Sequence, residues 1–204
     1  MYGSLVGVER DLVRLIRSAA TDQPGELARL LAASPELALD RLRRDEEFFL
    51  AQGHAQLYAG DSALHAAAFL YSRPLARQLI GLGADVQARN RRGAQPLHAA
   101  VMGIPGAGNW NPQRQCEVIG YLIEVGADPD AAAAGGVTPL HRAVRNRCAA
   151  AVRALLAAGA DPHLANDRGS TAFTLARQPT GRGGSGTPEA KAEQQEIIGA
   201  LDAS

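Results

Sequence analysis

Three histidines occupy the same place in three similar segments, and a row of imidazoles is a pattern that could bind a metal ion. His65, His98 and His141 lie in "GDSALHAAA", "GAQPLHAAV" and "GVTPLHRAV". Nitrogens that share one zinc ion lie about 2.1 Å from it, and hence within about 4 Å of each other. Equivalent helices of stacked units are roughly 8–10 Å apart, so these side chains cannot meet at one ion. We therefore predict no metal site, and expect each imidazole to bond nearby backbone and tie one loop to the next.

A glycine-rich loop near the carboxyl end, "TGRGGSGTPEAK" at 180–191, invites a phosphate-binding hypothesis. It leads into a helix that Thr187 and Pro188 would start, and helix N-termini attract anions. The phosphate-loop pattern nevertheless fails, because Thr187 stands where that pattern requires lysine and no strand pattern precedes the loop. We interpret the loop as a flexible linker and predict no cofactor.

No set of residues indicates catalysis. The sequence contains neither G-x-S-x-G nor H-E-x-x-H, and its two cysteines, Cys116 and Cys148, form no C-x-x-C motif. Free thiols are typical of a reducing compartment. We predict a protein that is not an enzyme, has no catalytic residues and resides in the cytoplasm.

Charge and hydropathy exclude two classes of partner. Lysine plus arginine equals aspartate plus glutamate at 21 each, so no overall charge attracts nucleic acid. The chain also has no charge-free apolar run of 18 or more residues. We expect neither a nucleic-acid partner nor a membrane span.

The similar segments are parts of a repeat. Their leading glycines stand at 60, 93, 136 and, in the degraded copy "GSTAFTLAR", 169, so the spacings are 33, 43 and 33. Gly-Ala-Asp recurs at 83–85, 126–128 and 159–161. The unit is therefore 33 residues long with ten residues inserted in its second copy, which is typical of a stacked array.

Each unit has the pattern of two helices. In the third copy Thr138 suits an N-cap and Pro139 the first helical position. Leu140, Ala143 and Val144 form an apolar stripe, and a second helix ends near Gly159. The Thr-Pro-Leu-His motif is thus interpreted as a helix start.

T-P-L-H-x-A followed by L-L-x-x-G-A-D at this period resembles the ankyrin repeat. The resemblance covers roughly two-thirds of the chain and is strongest at 135–167. It implies an all-α solenoid of helix-turn-helix units with divergent capping units at both ends. It also implies a concave groove, lined by the first helices and loop tips, that binds a protein or peptide.

We predict one continuous solenoid with a divergent helical cap at 1–58. The repeats that follow are here named repeat 1 (59–91), repeat 2 (92–134), repeat 3 (135–167) and repeat 4 (168–204). Within the cap, Leu12 and Ile16 belong to one helical stripe and Pro24 opens a second helix. A short helix is expected around 46–52, with Phe48 and Phe49 packed onto the first repeats.

Position by position, the resemblance assigns partner-binding residues. They are Tyr58, Asp61, Phe69, Leu70, Arg91, Arg92, Met102, Trp110, Arg142, Arg145, Asn146, Asp167, Arg168 and Gln178. The set runs from apolar at repeat 1 to basic around repeat 3, so we expect a partner with apolar groups beside acidic ones.

Two questions stay open in the sequence. Repeats 2 and 4 carry extra residues between their helices, and these are either functional loops or drift at a tolerant site. Trp110, in the first insertion, either anchors a partner or folds back over the helix ends.

The loops also suggest an alternative function. A pocket beneath them would make the protein a small-molecule binder or an unusual enzyme. We expect a monomer.

Overall fold

The computed structural model of the protein describes residues 10–51, 55–103, 105, 110–178 and 188–204. The regular secondary structure of this part of the chain is helical apart from one short hairpin, and loops connect the elements. Its helices are α1 (Asp11–Ala20), α2 (Pro24–Ala33), α3 (Ala63–Phe69), α4 (Arg73–Gly81), α5 (Pro96–Ala100), α6 (Pro112–Glu124), α7 (Pro139–Arg145), α8 (Ala149–Ala157), α9 (Ala172–Ala176) and α10 (Pro188–Asp202). Two 3-10 turns, Pro35–Ala38 and Arg44–Glu46, precede the strands β1 (Phe48–Leu50) and β2 (Ala55–Leu57).

The helices of the repeats form two layers. In the inner layer α3 packs on α5, α5 on α7 and α7 on α9; in the outer layer α4 packs on α6, α6 on α8 and α8 on α10. The amino-terminal helix α1 extends the stack by packing on α2 and α3. Each helix pair therefore covers an apolar face of its neighbour, as expected for a solenoid.

Equivalent leucines form the core between the layers. Leu64, Leu97 and Leu140 of the inner helices are at most 1% exposed. Their partners on the outer helices, Leu79, Leu122 and Leu155, are fully buried. Small residues such as Ala67, Ala100 and Ala143 fill the remaining inner-layer positions, which lets the short inner helices lie close together.

The predicted helix start in repeat 3 is confirmed. Pro139 is the first residue of α7, and the Thr138 hydroxyl accepts a hydrogen bond from the His141 N–H at 3.3 Å. A proline there loses no helical hydrogen bond because the first N–H groups have no partner within the helix. Gln95 occupies the corresponding N-cap of α5, and Ser62 that of α3.

The three repeated histidines join neighbouring repeats, as predicted. The Nδ1 atoms accept the backbone N–H of Ser62, Gln95 and Thr138, each at 3.2 Å. Because a backbone N–H can only donate, the neutral ring carries its proton on Nε2. The Nε2–H groups of His65, His98 and His141 donate to the carbonyls of Ala94, Val137 and Ser170 at 3.1, 3.0 and 2.9 Å. Each imidazole thus caps its own helix and holds the loop of the next repeat.

Backbone bonds between loop tips reinforce this connection. The Arg91 N–H donates to Ala59 O at 2.7 Å, Ala134 N–H to Arg92 O at 2.9 Å, and Asp167 N–H to Gly135 O at 3.0 Å. Gly136 makes the last approach possible: its φ is +67°, and a β-carbon there would lie 2.6 Å from Asp167 Oδ1. A glycine at this point is therefore required by conformation and by space.

The helix expected around 46–52 is wrong for the described residues, because Glu46 ends a 3-10 turn and Phe48–Leu50 form strand β1 of a β-hairpin; residue 52 lies outside the described part of the chain. β1 and β2 pair antiparallel, with Phe48 opposite Leu57 and Leu50 opposite Ala55. Leu50, Ala55 and Leu57 are buried while Phe49 and Gln56 are exposed, which is the alternation of a half-buried hairpin. Pairing across the turn outweighed the helix propensity of the segment. Phe48 packs on the core, as predicted, whereas Phe49 is 57% exposed.

The structure can be compared with several predictions for the two ends of the chain. Leu12 and Ile16 are buried in α1, and α2 begins at Pro24 as predicted. Arg10 fixes the hairpin segment to the start of α1 through Glu46, with Nη1 and Oε2 2.7 Å apart, and through Asp40. The glycine-rich loop at 180–187, including Thr187, lies outside the described residues.

Replacement of His98 by threonine tests the connection between repeats. Thr174 stands at this position in repeat 4 and its hydroxyl accepts the Thr171 N–H at 2.9 Å, so threonine preserves the cap. The variant removes the bond from the fully buried His98 ring to the Val137 carbonyl, which keeps only the Ala133 N–H at 3.0 Å, and we expect the free energy of unfolding to fall by about 1–3 kcal/mol. Urea denaturation at pH 7.5 measures it. His163→Gln, at an exposed histidine that stacks on Phe173 with the ring centroids 5.1 Å apart, should lower it by no more than about 1 kcal/mol.

The same variant has a pH signature. Burial, helped by Arg142, lowers the pKa of His98 to about 3, from an ordinary value near 6.5. Between these values the unfolded chain binds the proton and the folded chain does not, so stability falls as the pH drops below 6.5, by up to about 1.4 kcal/mol per unit. His98→Thr should therefore cost least in acid. A difference from the wild type that is the same at pH 5.0 and 7.5 would contradict the buried, neutral imidazole.

Candidate protein-binding groove

A groove of about 1140 Å³ follows the inner helices and the loop tips. Its lining begins at the hairpin, with Phe49 and Leu57, and ends at α10, with Gln194 and Ile197. Between these ends it takes residues from all four repeats. The groove is therefore a property of the whole stack, and we name it the inner groove.

Eleven of the fourteen residues predicted to bind a partner line the inner groove. They are Tyr58, Asp61, Phe69, Arg92, Met102, Arg142, Arg145, Asn146, Asp167, Arg168 and Gln178. The structure brings these side chains to one surface but supplies no partner, so their role in binding remains a prediction. Leu70, Arg91 and Trp110 do not line the inner groove.

Apolar side chains form part of the groove near repeats 1 and 2. Phe69 at the end of α3 is only 8% exposed, and Met102 follows α5. The side-chain amide of Asn146 donates to the Met102 sulfur at 3.4 Å, which links the groove surfaces of repeats 2 and 3. The apolar surface exposed to the groove here is therefore mainly that of Met102.

Arginines dominate the charge of the inner groove. Arg92, Arg142, Arg145 and Arg168 line it, and none of the four forms an ion pair with a described residue. Asp61 is 3% exposed and already accepts hydrogen bonds from Tyr58 N–H at 2.7 Å and Asn90 Nδ2 at 2.8 Å. The groove therefore presents more positive charge than it neutralises.

Arg142 has the most perturbed environment of these arginines. Burial, with the positive charge of Arg92 as the next cause, lowers its pKa to about 10. Arg145 acts in the same direction, while Asp61 and Tyr58 act against it. The guanidinium is still charged at neutral pH, and it is half-buried among like charges.

Tyr58 orders the rim of the groove. Its ring centroid lies 4.9 Å from the Arg91 guanidinium carbon and 5.1 Å from that of Arg92, within cation–π range. Glu47 holds Arg91 by an ion pair, in which Nη2 and Oε2 are 2.9 Å apart. Arg91 is therefore held by Glu47 and does not line the groove, whereas Arg92 lines it and donates to the Tyr58 hydroxyl at 3.4 Å. The sequence gives no local signal for Glu47, because its partner is 44 residues away.

Trp110 folds back onto the protein, the second of the two alternatives for this residue. It is half-buried, packs on the core, and donates its indole N–H to Gln115 Oε1 at 3.2 Å. Gln115 is fully buried and donates to Ala100 O at 3.0 Å, while the Tyr71 hydroxyl donates to Met102 O. These bonds fix the ends of the first insertion. Leu70 is likewise half-buried against the core.

The two cysteines are free thiols with packed surroundings. Burial raises the pKa of Cys148 to about 12, so this side chain is a thiol at neutral pH and a poor nucleophile. Cys116 donates its S–H to Ala150 O at 3.4 Å, on the helix that follows Cys148. The described residues contain no group of three or more histidine, cysteine or acidic side chains placed to hold a metal ion.

Comparison with protein families identifies the architecture. The model for ankyrin repeats, in three copies, matches residues 64–166, just over half of the chain. The chain belongs to the ankyrin-repeat family. The predicted fold class, an all-α ankyrin solenoid, is confirmed by this match and by the stacked helix pairs. A search of curated proteins found no match.

Membership of this family supports a general function. Ankyrin repeats are in general protein–protein interaction modules, and their domains are typically non-catalytic. Within the described part of the chain, no helix is both long and apolar enough to cross a membrane. Residues 104, 106–109 and 179–187 of the two insertions lie outside that part, so a pocket beneath both loops stays an alternative prediction.

Two glycine substitutions test how the first insertion is held. A β-carbon at Gly103 would lie 2.7 Å from the Tyr71 hydroxyl oxygen and 2.9 Å from Trp110 Cδ1, whereas one at Gly120, within α6, meets nothing within 4 Å. Gly103→Ala should lower the free energy of unfolding by about 1–3 kcal/mol. Gly120→Ala should raise it by about 0.5–1 kcal/mol. Equal effects of the two variants in urea denaturation would contradict the anchored insertion.

Proposed function

We propose that the protein is a non-catalytic interaction module whose inner groove binds a segment of another protein. The observation that carries the proposal is that Arg92, Arg142, Arg145 and Arg168 line the groove without an ion pair to any described residue, beside Phe69 and Met102. In a folded protein, such charges are usually paired with an opposite charge or solvated. Where several like charges lie close together, an oppositely charged partner makes the most favourable electrostatic contribution to binding.

The partner surface that suits this groove offers apolar groups next to acidic ones. Phe69 and Met102 would accept an apolar side chain, while Arg142 and Arg145 would face the acidic groups. Arginine and aromatic side chains are frequent energetic centres of interfaces. Basic and acidic residues are equal in number, so the overall charge disfavours indiscriminate binding to nucleic acid.

We further propose that the module acts as a monomeric scaffold in the cytoplasm. Both cysteines are free, and a reducing compartment keeps thiols in this state. The helix pairs bury their apolar faces on one another within a single chain, which leaves the inner groove available.

A double charge reversal tests the proposed function. The variant Arg142→Glu with Arg145→Glu should reduce capture of partner proteins from a lysate of the protein's own cells at least ten-fold, because charged contacts at an interface are worth about 2–5 kcal/mol when one side is removed. Quantitative mass spectrometry of the captured proteins measures the loss. Wild-type capture should also fall between 0.05 and 0.5 M NaCl, as screening shortens the range of these charges.

The matched control places the same charge change on the outer layer. Arg77 and Arg114 are exposed on α4 and α6, and Arg77→Glu with Arg114→Glu should capture the same proteins as the wild type. Circular dichroism and thermal unfolding verify that both variants fold. Capture that survives reversal in the inner groove, or is lost equally in the control, would contradict binding at this surface.

A further inference from the structure

Two arginines and a tyrosine hydroxyl lie together at one place in the inner groove. The Tyr58 hydroxyl accepts an N–H from Arg92 Nη1 at 3.4 Å, and within the described part of the chain its own O–H donates to no acceptor. Arg142, on α7, has both Arg92 and Tyr58 among the groups that act on its charge. All three residues line the groove. Donors from three separate parts of the chain therefore meet here.

Most N–H groups of these arginines are not used by the fold. A guanidinium carries five N–H donors. The side chain of Arg142 makes one hydrogen bond to a described residue, a long contact of 3.5 Å from Nη1 to His98 O. Arg145, three residues further along α7, is exposed and forms no ion pair with a described residue. An anion can therefore accept several N–H bonds here without displacing an existing ion pair.

The charges around Arg142 need more than one negative charge for balance. Arg92 and Arg145 act on it as like charges, and Asp61 is the carboxylate that acts against them. These three guanidinium groups and one carboxylate leave a net charge of two positive. A side-chain carboxylate supplies one negative charge, whereas a phosphate monoester carries about 1.5 to 2 at pH 7 and has three acceptor oxygens. A phosphate therefore matches both the charge and the number of donors better than a carboxylate does.

The rest of the groove lining indicates what kind of molecule carries the phosphate. At repeat 4 the exposed charges are Asp167 and Arg168, which have opposite signs, and towards repeat 1 the lining includes Met102 and Phe69. A nucleic acid carries a phosphate at every nucleotide and is bound along a continuous positive track. A phosphorylated protein segment instead presents one phosphate between uncharged neighbours. The lining therefore favours a protein segment over nucleic acid.

We propose that Tyr58, Arg92 and Arg142 form a phosphate subsite, in which a phosphorylated side chain of the partner accepts hydrogen bonds from both guanidinium groups and from the tyrosine hydroxyl. Arg145 adds attraction from the next turn of α7, and a neighbouring residue of the partner packs on Met102. This inference rests on the proposed function and deepens it, because it names phosphorylation of the partner as the feature that the groove recognises.

Peptide libraries that differ only in one fixed residue test the subsite. The synthetic peptides carry a central phosphorylated residue (serine, threonine or tyrosine), a central glutamate, or the same central residue without phosphate. All other positions are randomised among non-acidic residues. Immobilised wild-type protein should retain a phosphorylated library at least about ten-fold more than the glutamate library at about 0.15 M NaCl, because the phosphate brings more charge and a third acceptor. The unphosphorylated library should be retained least.

Single substitutions then test each proposed donor with one selected phosphopeptide. Fluorescence polarisation should show at least about ten-fold weaker binding to Arg142→Gln and to Arg92→Gln, because each removes charged donors to the phosphate. Tyr58→Phe keeps the ring that lies beside Arg92 and removes only the hydroxyl, so binding should weaken about 3- to 10-fold. The exposed outer-layer control Arg77→Gln should bind as the wild type does. Circular dichroism and thermal unfolding verify that every variant folds.

Other results overturn the subsite, and they separate it from the proposed function. If the glutamate library binds as well as the phosphorylated ones, or none binds, while capture from a lysate still depends on Arg142 and Arg145, the groove binds protein but not by this subsite. If that capture is also independent of the two arginines, both proposals fail.

Two further probes distinguish the source of the phosphate. Free O-phosphoserine that competes as strongly as the selected peptide would show that the protein segment contributes nothing, which overturns the subsite as proposed. Binding of an oligothymidine that depends on Arg142 at about 0.15 M NaCl would assign the arginines to a polyanion instead.

Discussion

The imidazole bond between neighbouring repeats is the interaction on which the rest of the structure depends. Its Nδ1 atom caps the helix of one repeat, and its Nε2–H satisfies a loop carbonyl of the next. The Val137 carbonyl also accepts the Ala133 N–H of its own loop, so the imidazole supplies a second donor that joins this loop to the preceding repeat. Repeat 4 has threonine, Thr174, in place of this histidine. The inner groove exists because these links hold the inner helices and loop tips in one row.

The two layers of the solenoid differ in the surroundings of their charged side chains. In the outer layer, Leu79, Leu122 and Leu155 complete the core, and exposed charges such as Arg153 pair with Glu196 at 2.6 Å. The inner groove instead holds Arg142, which is half-buried near Arg92 and Arg145 and forms no ion pair with a described residue. Natural proteins tend to leave polar or charged groups without an internal partner at sites where another molecule supplies that partner. That contrast is the physical basis for assigning binding to the inner side.

The parts of the structure that local spacing controls could be predicted from the sequence. The period of 33, the helix start at Thr138 and Pro139, and the imidazole links all follow from residues a fixed distance apart. Features that depend on distant pairing could not be predicted. The hairpin replaced an expected helix because β1 is stabilised by β2, and Glu47 removes Arg91 from the groove lining from 44 residues away. The burial of Trp110 depends likewise on Gln115 and Gly103, which no motif marks.

The tautomer of the repeated histidines is the most direct measure of this account. Nitrogen-15 spectra of the imidazole rings distinguish Nε2–H from Nδ1–H and neutral rings from protonated ones. The account predicts that His98 carries its proton on Nε2 and keeps that form from pH 7 to pH 5, with His65 in the same tautomer at pH 7. An Nδ1–H tautomer at His98, or protonation of His98 centred near pH 6.5, would show that the ring does not join repeats 2 and 3.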